Sequence, residues 1–177
     1  QNTTSASAHV AFEFNQGETE CPAGSGGLIQ RTPGDMLIVY DFEGGSGDPI
    51  IKLSRWTTDP LDPCEVGSNS PPCWGVATDL TASGFAEGKV NSGTTVVDSI
   101  GPPVTPENLG DSEFGEAGIN LTDAGVFTPG VCVGFGKVNA VSRTSGQSSN
   151  AQLKDLVGPP DINISNYAPV TIVKHTT

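Results

Sequence analysis

Ala6, Ala8, Val10, Phe12 and Phe14 alternate with Ser5, Ser7, His9 and Glu13. This period of two gives an apolar and a polar face only when the chain is extended. The same period dominates the chain, and it is broken at short intervals by 23 glycines and 14 prolines among 177 residues. Helix interiors exclude such breakers, whereas turns between short strands use them. Residues 36–42 (MLIVYDF) form a near-continuous apolar run suited to a strand covered on both faces. The segment EGGSGD then turns the chain, and residues 50–56 (IIKLSRW) return antiparallel. Further strands are expected over 74–80, 84–90, 113–121, 132–143, 151–157 and 161–165, with 57–73 a proline-rich loop and 92–112 and 122–131 irregular. About nine short strands in one chain of this size predict an all-β fold: a two-sheet antiparallel β-sandwich, jelly-roll-like in topology.

Charge narrows the partners. Eight Lys and Arg against twenty Asp and Glu leave a net charge of −12. A nucleic-acid partner needs a basic footprint on its phosphates, and no stretch of the sequence supplies one. No apolar run is long enough to span a membrane. Residues 1–8 are polar and lack the charged and apolar regions of a signal peptide, so if the protein is secreted the expectation is that this is the mature form.

The four cysteines, Cys21, Cys64, Cys73 and Cys132, lack the close paired spacing of a zinc site. Cys64 and Cys73 bracket CEVGSNSPPC, whose turn residues bring its ends together, so these two are expected to pair. That leaves Cys21 with Cys132, against the alternative of four reduced thiols. Disulfides point to an oxidising, extracellular setting, secreted or at a cell surface. Sequons at Asn2, Asn120 and Asn163 are candidate glycosylation sites.

Little of the sequence suggests catalysis. The two histidines lie in terminal segments, and no G-x-S-x-G elbow occurs. No catalytic residue is assigned and no cofactor is required. Calcium is the candidate ion: Asp41, Glu43 and Asp48 surround the GGSG turn, where several oxygens can converge on a hard cation, and Asp59, Asp62 and Glu65 form a second, weaker cluster. Solvated turn carboxylates are the simpler reading of both. Trp56 and Trp74 could stack on sugar rings, but core packing accounts for them better. Lys52, Lys89, Lys137, Lys154 and Lys174 show no motif for an isopeptide cross-link.

The phrases RTPGDMLIVYDFEGG, WGVATDLTASGFAEGKVN, FGEAGINL and CVGFGKVNAVSRTSGQSSNAQLKDLVGPP resemble, over roughly residues 10–166, a module of large secreted surface proteins of actinobacteria and other bacteria. That module commonly precedes prealbumin-like or collagen-adhesin B-type repeats. The resemblance implies secretion and a surface architecture, and it agrees with a Cys21–Cys132 pair. It supplies no catalytic residues, and the 57–73 loop with its own cysteine pair departs from it.

The module boundary divides the chain into a disulfide-stapled sandwich over 1–166 and an extended strand over 167–177. YAPVTIVKHTT looks like the opening strand of a following repeat. In it Val170, Ile172 and Lys174 alternate with Thr171, Val173 and His175, so one face can enter an apolar groove while the backbone pairs with an open sheet edge. The expected function is a non-enzymatic extracellular structural subunit. It would self-associate head to tail into a homopolymer through the strand Val170, Thr171, Ile172 and Val173. Ala8, Val10, Phe12 and Phe14 form the alternative donor strand. The other reading is a monomeric adhesive or ligand-binding module contacting calcium, a glycan or a cell surface.

Overall fold

The computed structural model describes residues 7–22, 27–43, 48–67, 69–98, 107–143 and 153–168. The fold is all-β with antiparallel sheets, one of them curled into a half-barrel. The strands are β1 (Ser7–Asn15), β2 (Met36–Glu43), β3 (Ile50–Thr57), β4 (Cys73–Trp74), β5 (Thr78–Asp79), β6 (Ala86–Val90), β7 (Val96–Asp98), β8 (Glu107–Leu109), β9 (Gly115–Ile119), β10 (Gly134–Arg143), β11 (Leu153–Val157) and β12 (Asp161–Ser165). The large sheet runs β11-β10-β1-β2-β3-β4, with β12 also on β10 and β5 also on β3. Two separate ladders, β6–β9 and β7–β8, complete the set among the described residues.

The alternation in the sequence becomes the register. Phe12 sits opposite Ile38 on one side and Ala140 on the other, and Ile38 in turn faces Leu53. One face of the large sheet therefore carries Val10, Phe12 and Phe14 beside Met36, Ile38, Tyr40 and Phe42, then Ile51 and Leu53. The buried core comprises the β2 and β3 members of that face with Leu80, Ala86, Val126 and Phe135. Met36, Ile51 and Leu80 are fully buried, and each stabilises the fold by roughly 1.5–3 kcal/mol over an exposed side chain. Phe14 meets Phe135 edge to face at 6.3 Å between ring centroids.

The β6–β9 ladder lies over the β2–β3 half of this face, and a glycine allows the approach. A Cβ at Gly88 would stand 2.7 Å from Pro49 Cγ and 3.1 Å from Ile51 Cδ1. A second glycine fixes the far edge, where β11 and β12 follow one another along β10. Gly158 joins them at φ 131°, and a Cβ there would lie 2.7 Å from the carbonyl oxygen of Val138.

Two expected elements change. The strand over 74–80 is instead the short β4 and β5, because Gly75 N–H turns to Arg55 O and Val76 N–H to Pro63 O. Part of the irregular 92–112 stretch pairs as β7 with β8, Val96 opposite Leu109 and Val97 opposite Asn108. Its prolines 102, 103 and 106 fall between the two strands. The extended segment 167–177 lies outside the described residues from 169 onward, including Val170, Thr171, Ile172 and Val173.

Candidate functional site

The curled sheet and the β6–β9 ladder enclose an open cleft of about 840 Å³. Its floor is the apolar face of β1 and β2, with Val10, Phe12, Phe14, Ile38, Tyr40 and Phe42. One wall is the segment from Ser112 to Ile119. The other carries Ser142, Arg143, Lys154 and Asp155. The ladder covers β2 and β3 but leaves the β1 side open, so Phe12 and Phe14 are only partly buried.

Among the described residues the wall strand β9 pairs with β6 alone. Its sequence GEAGI offers small side chains, and four of its five residues are exposed. Gly115, Ala117 and Ile119 stand opposite Val90, Gly88 and Ala86. The outer edge of β9 therefore carries main-chain N–H and C=O groups outside any ladder. Tyr40 ties the wall to the floor by donating from its hydroxyl to Lys89 O at 3.1 Å. Its phenol is pushed up to about 12, first by burial and then by the charge of Glu116.

Asn91 shapes the rim above β9. Its amide nitrogen donates to Thr94 O and Gly110 O, both at 2.7 Å, and its Oδ1 accepts from Phe114 N at 2.8 Å. Glu113 Oε2 accepts from Gly110 N at 2.6 Å, and Ser112 takes φ 62° in the turn between. Nothing in the spacing of Asn91 marks it beforehand, because its partners lie up to 23 residues away. The weak patterning of GEAGI is the one trace of the open wall that the sequence carries.

The structure distributes the acidic turn candidates rather than gathering them. Asp41 is buried beside His9, with 3.1 Å between Oδ1 and Nδ1, and Lys52 Nζ lies 3.9 Å from its Oδ2. Asp48 is exposed and bound to Lys89 Nζ at 2.5 Å, while the Glu43 side chain lies outside the described residues. Both described carboxylates thus face a cationic or imidazole partner. Asp62, Asp59 and Glu65 instead accept bonds from Thr57 Oγ1, Leu61 N and Ala77 N. Among the described residues no group of three His, Cys, Asp or Glu side chains is placed to hold a metal.

Cys64 and Cys73 form a disulfide. Cys21 and Cys132 are free thiols, half-buried and exposed respectively, which corrects the expected second bridge. Elimination identifies a leftover pair but applies no force that joins it. Cys21 is instead held through its N–H to Leu28 O, beside the Glu20–Ile29 bridge.

The indoles of Trp56 and Trp74 meet edge to face at 5.3 Å. The Arg31 guanidinium lies over both, 5.0 and 5.1 Å from the ring centroids, and forks onto Glu13 at 2.9 and 2.7 Å. A cation, rather than a sugar, occupies their faces. Lys89 and Lys137 are held above the ordinary lysine range by hydrogen bonds to Asp48 and Asp161. That shift opposes the neutral amine an isopeptide cross-link needs.

Of the sequons, Asn120 is exposed at the end of β9, where its Oδ1 accepts from Thr122 N and Asp123 N. Asn163 is exposed on β12, and Asn2 lies outside the described residues. The alternative donor residues Ala8, Val10, Phe12 and Phe14 all lie on β1, which is paired on both edges by β2 and β10 within the chain.

Comparison with protein-family models, with curated proteins and with solved structures finds no match.

Proposed function

We propose that the chain is a non-enzymatic structural subunit of an extracellular assembly, related to the modules of secreted bacterial surface proteins. Its copies join head to tail by strand complementation into a homopolymer. The observation that carries this reading is the cleft, an apolar floor beside a wall strand whose outer edge is in no ladder among the described residues. Such an arrangement is a sheet lacking one strand, and an added strand gains both main-chain pairing and apolar burial. An incoming strand would extend the β6–β9 ladder over β1 and complete a two-layer, jelly-roll-like sandwich. The Cys64–Cys73 disulfide suits an oxidising location, secreted or at a cell surface.

Negative-stain imaging with light scattering of the 177-residue chain tests the reading. Uniform fibres support it, and a monodisperse 18.1 kDa species at every concentration defeats it. A second reading, a monomeric adhesive or ligand-binding module, draws on the cleft volume, which falls within the usual range for small-molecule sites. It makes the monomer the expected result of the same measurement.

A further inference from the structure

We infer that the cleft is the acceptor in this assembly and that its occupant is residues 170–173 of a second copy of the chain. The inference rests on the strand-complementation reading and adds to it the acceptor surface, the side chains that meet and the direction of the donated strand.

Three features of the cleft match that segment. The free edge of β9 runs from Gly115 to Ile119 and is five residues long, enough to pair with a four- or five-residue donor. Gly115 and Ala117 carry almost no side chain, so a strand beside them can lay its own side chains on the floor. The floor residues Val10, Phe12, Tyr40 and Phe42 are apolar, and the donor has Val170 and Ile172 on one face to bury there.

Charge selects the segment and orients it. The chain carries −12 overall, yet its last acidic residue is Asp161, and residues 167–177 hold Lys174 with no Asp or Glu. Glu113 and Glu116 stand at the start of β9, facing Arg143, Lys154 and Asp155 across the cleft. A donor antiparallel to β9, with Val170 toward Ile119, brings Lys174 to the end of the cleft where the carboxylates of Glu113, Glu116 and Asp155 outnumber the cations of Arg143 and Lys154. The parallel direction would leave Lys174 at the end without those carboxylates.

Two variants of the 177-residue chain separate the donor from the acceptor. Ala117→Arg fills the cleft from an exposed position but leaves the donor intact, and Ile172→Glu spoils the donor but leaves the cleft intact. With far-UV circular dichroism confirming the fold of each, both are expected to remain monomeric. An equimolar mixture should give a one-to-one dimer, twice the 18.1 kDa chain, and no polymer. In a wild-type background, excess synthetic peptide 167–177 should cap growth, and the same peptide carrying Ile172→Glu should not. This peptide experiment keeps the test alive if Ala117→Arg fails to fold. Lys174→Glu should weaken peptide capping by about two- to fivefold and Glu116→Lys should restore it, the size expected of a rim ion pair.

Polymers of Ala117→Arg like those of the wild type would overturn the cleft as acceptor while leaving assembly standing. Monomeric variants that stay apart on mixing would overturn strand exchange between copies. A wild-type chain that never assembles would instead overturn the underlying reading, with the segment then filling the cleft of its own chain or a small apolar ligand filling it.

Discussion

The Tyr40 hydroxyl on β2 donates to the main-chain carbonyl of Lys89 on β6, 3.1 Å away, and so fastens the β6–β9 ladder to the large sheet. The contact is close on every side. A Cβ at Gly115 would lie 2.8 Å from the same hydroxyl, and one at Gly88 3.3 Å from the Tyr40 ring. Tyr40 therefore sets both the height of the wall and the floor beneath it.

The raised Tyr40 pKa has a defined consequence for alkaline stability. Unfolded, the phenol ionises near 10; folded, near 12. Below pH 10 both states are protonated and the contribution to stability is full. Between 10 and 12 the unfolded state loses its proton first, so stability falls as pH rises through this window. Melting temperatures measured from pH 9 to 12 should decline more steeply for the wild type than for Tyr40→Phe. At pH 7 Tyr40→Phe should lose about 0.5–1.5 kcal/mol for the missing hydrogen bond. Parallel pH curves for the two proteins would show that Tyr40 does not supply the slope.

Asp35 is fully buried at the turn before β2 and gathers donors from three neighbours. Its Oδ1 accepts from Gln16 N at 2.9 Å and Thr32 Oγ1 at 3.0 Å, and its Oδ2 from Thr32 N at 2.9 Å and Asn15 Nδ2 at 3.0 Å. Asp35→Ala strands several donors, among them the buried Asn15 amide, at roughly 1–3 kcal/mol for each one left unsatisfied. Urea unfolding should show a loss of at least 3 kcal/mol. Asp35→Asn keeps the shape and one acceptor oxygen and should lose less. Equal losses would place the effect in packing rather than in the bonds.

Period-two patterning makes β1 legible, because it buries one face and repeats that face in sequence, whereas β2 is legible as a near-continuous apolar run whose Leu37 and Val39 are only half-buried. The assembly of those strands was less legible. Many short strands predict an all-β antiparallel fold, but not that β1 to β3, β10 and β11 join one curled sheet, with the β6–β9 ladder across it among the described residues. Pairing of Ala86 with Ile119 is decided over a separation that alternation does not encode. The Cys64–Cys73 bridge was readable because its loop is short and rich in turns. Tyr40 is one residue of the apolar run 36–42, and its role depends on Lys89 and Gly115, which local sequence does not link to it.

Arg31 covers both tryptophans from a position 41 % exposed, so its loss changes the surroundings of the indoles more than the fold. Arg31→Ala removes two cation–π contacts and the fork to Glu13, together about 1–2 kcal/mol. The expected signature is red-shifted tryptophan emission and easier quenching by acrylamide, with the far-ultraviolet spectrum unchanged. Arg31→Lys should restore only part of the protection, because an ammonium lacks the planar fork that meets Glu13 and lies flat on a ring. Unaltered emission in Arg31→Ala would mean that the tryptophans are shielded by their mutual contact alone.

The Cys64–Cys73 bridge closes a loop with a sequence separation of nine. The loop is also held by hydrogen bonds from Glu65 N to Trp74 O and from Ala77 N to Glu65 Oε2, beside the Cys64–Gly75 bridge. These bonds act in the folded state, whereas the disulfide acts mainly by restricting the unfolded chain. A loop of this length is worth about 2–3 kcal/mol on the entropic model. Replacing both cysteines by serine should lower the urea midpoint accordingly. The native Trp56–Trp74 contact should survive below that midpoint, because Trp74 remains paired with Trp56 through the β3–β4 ladder. If tryptophan fluorescence changes in the folded variant, the bridge is holding β4 in place as well as restricting the unfolded chain. An unchanged midpoint would instead show that the unfolded loop is already as restricted without the sulfur link as with it.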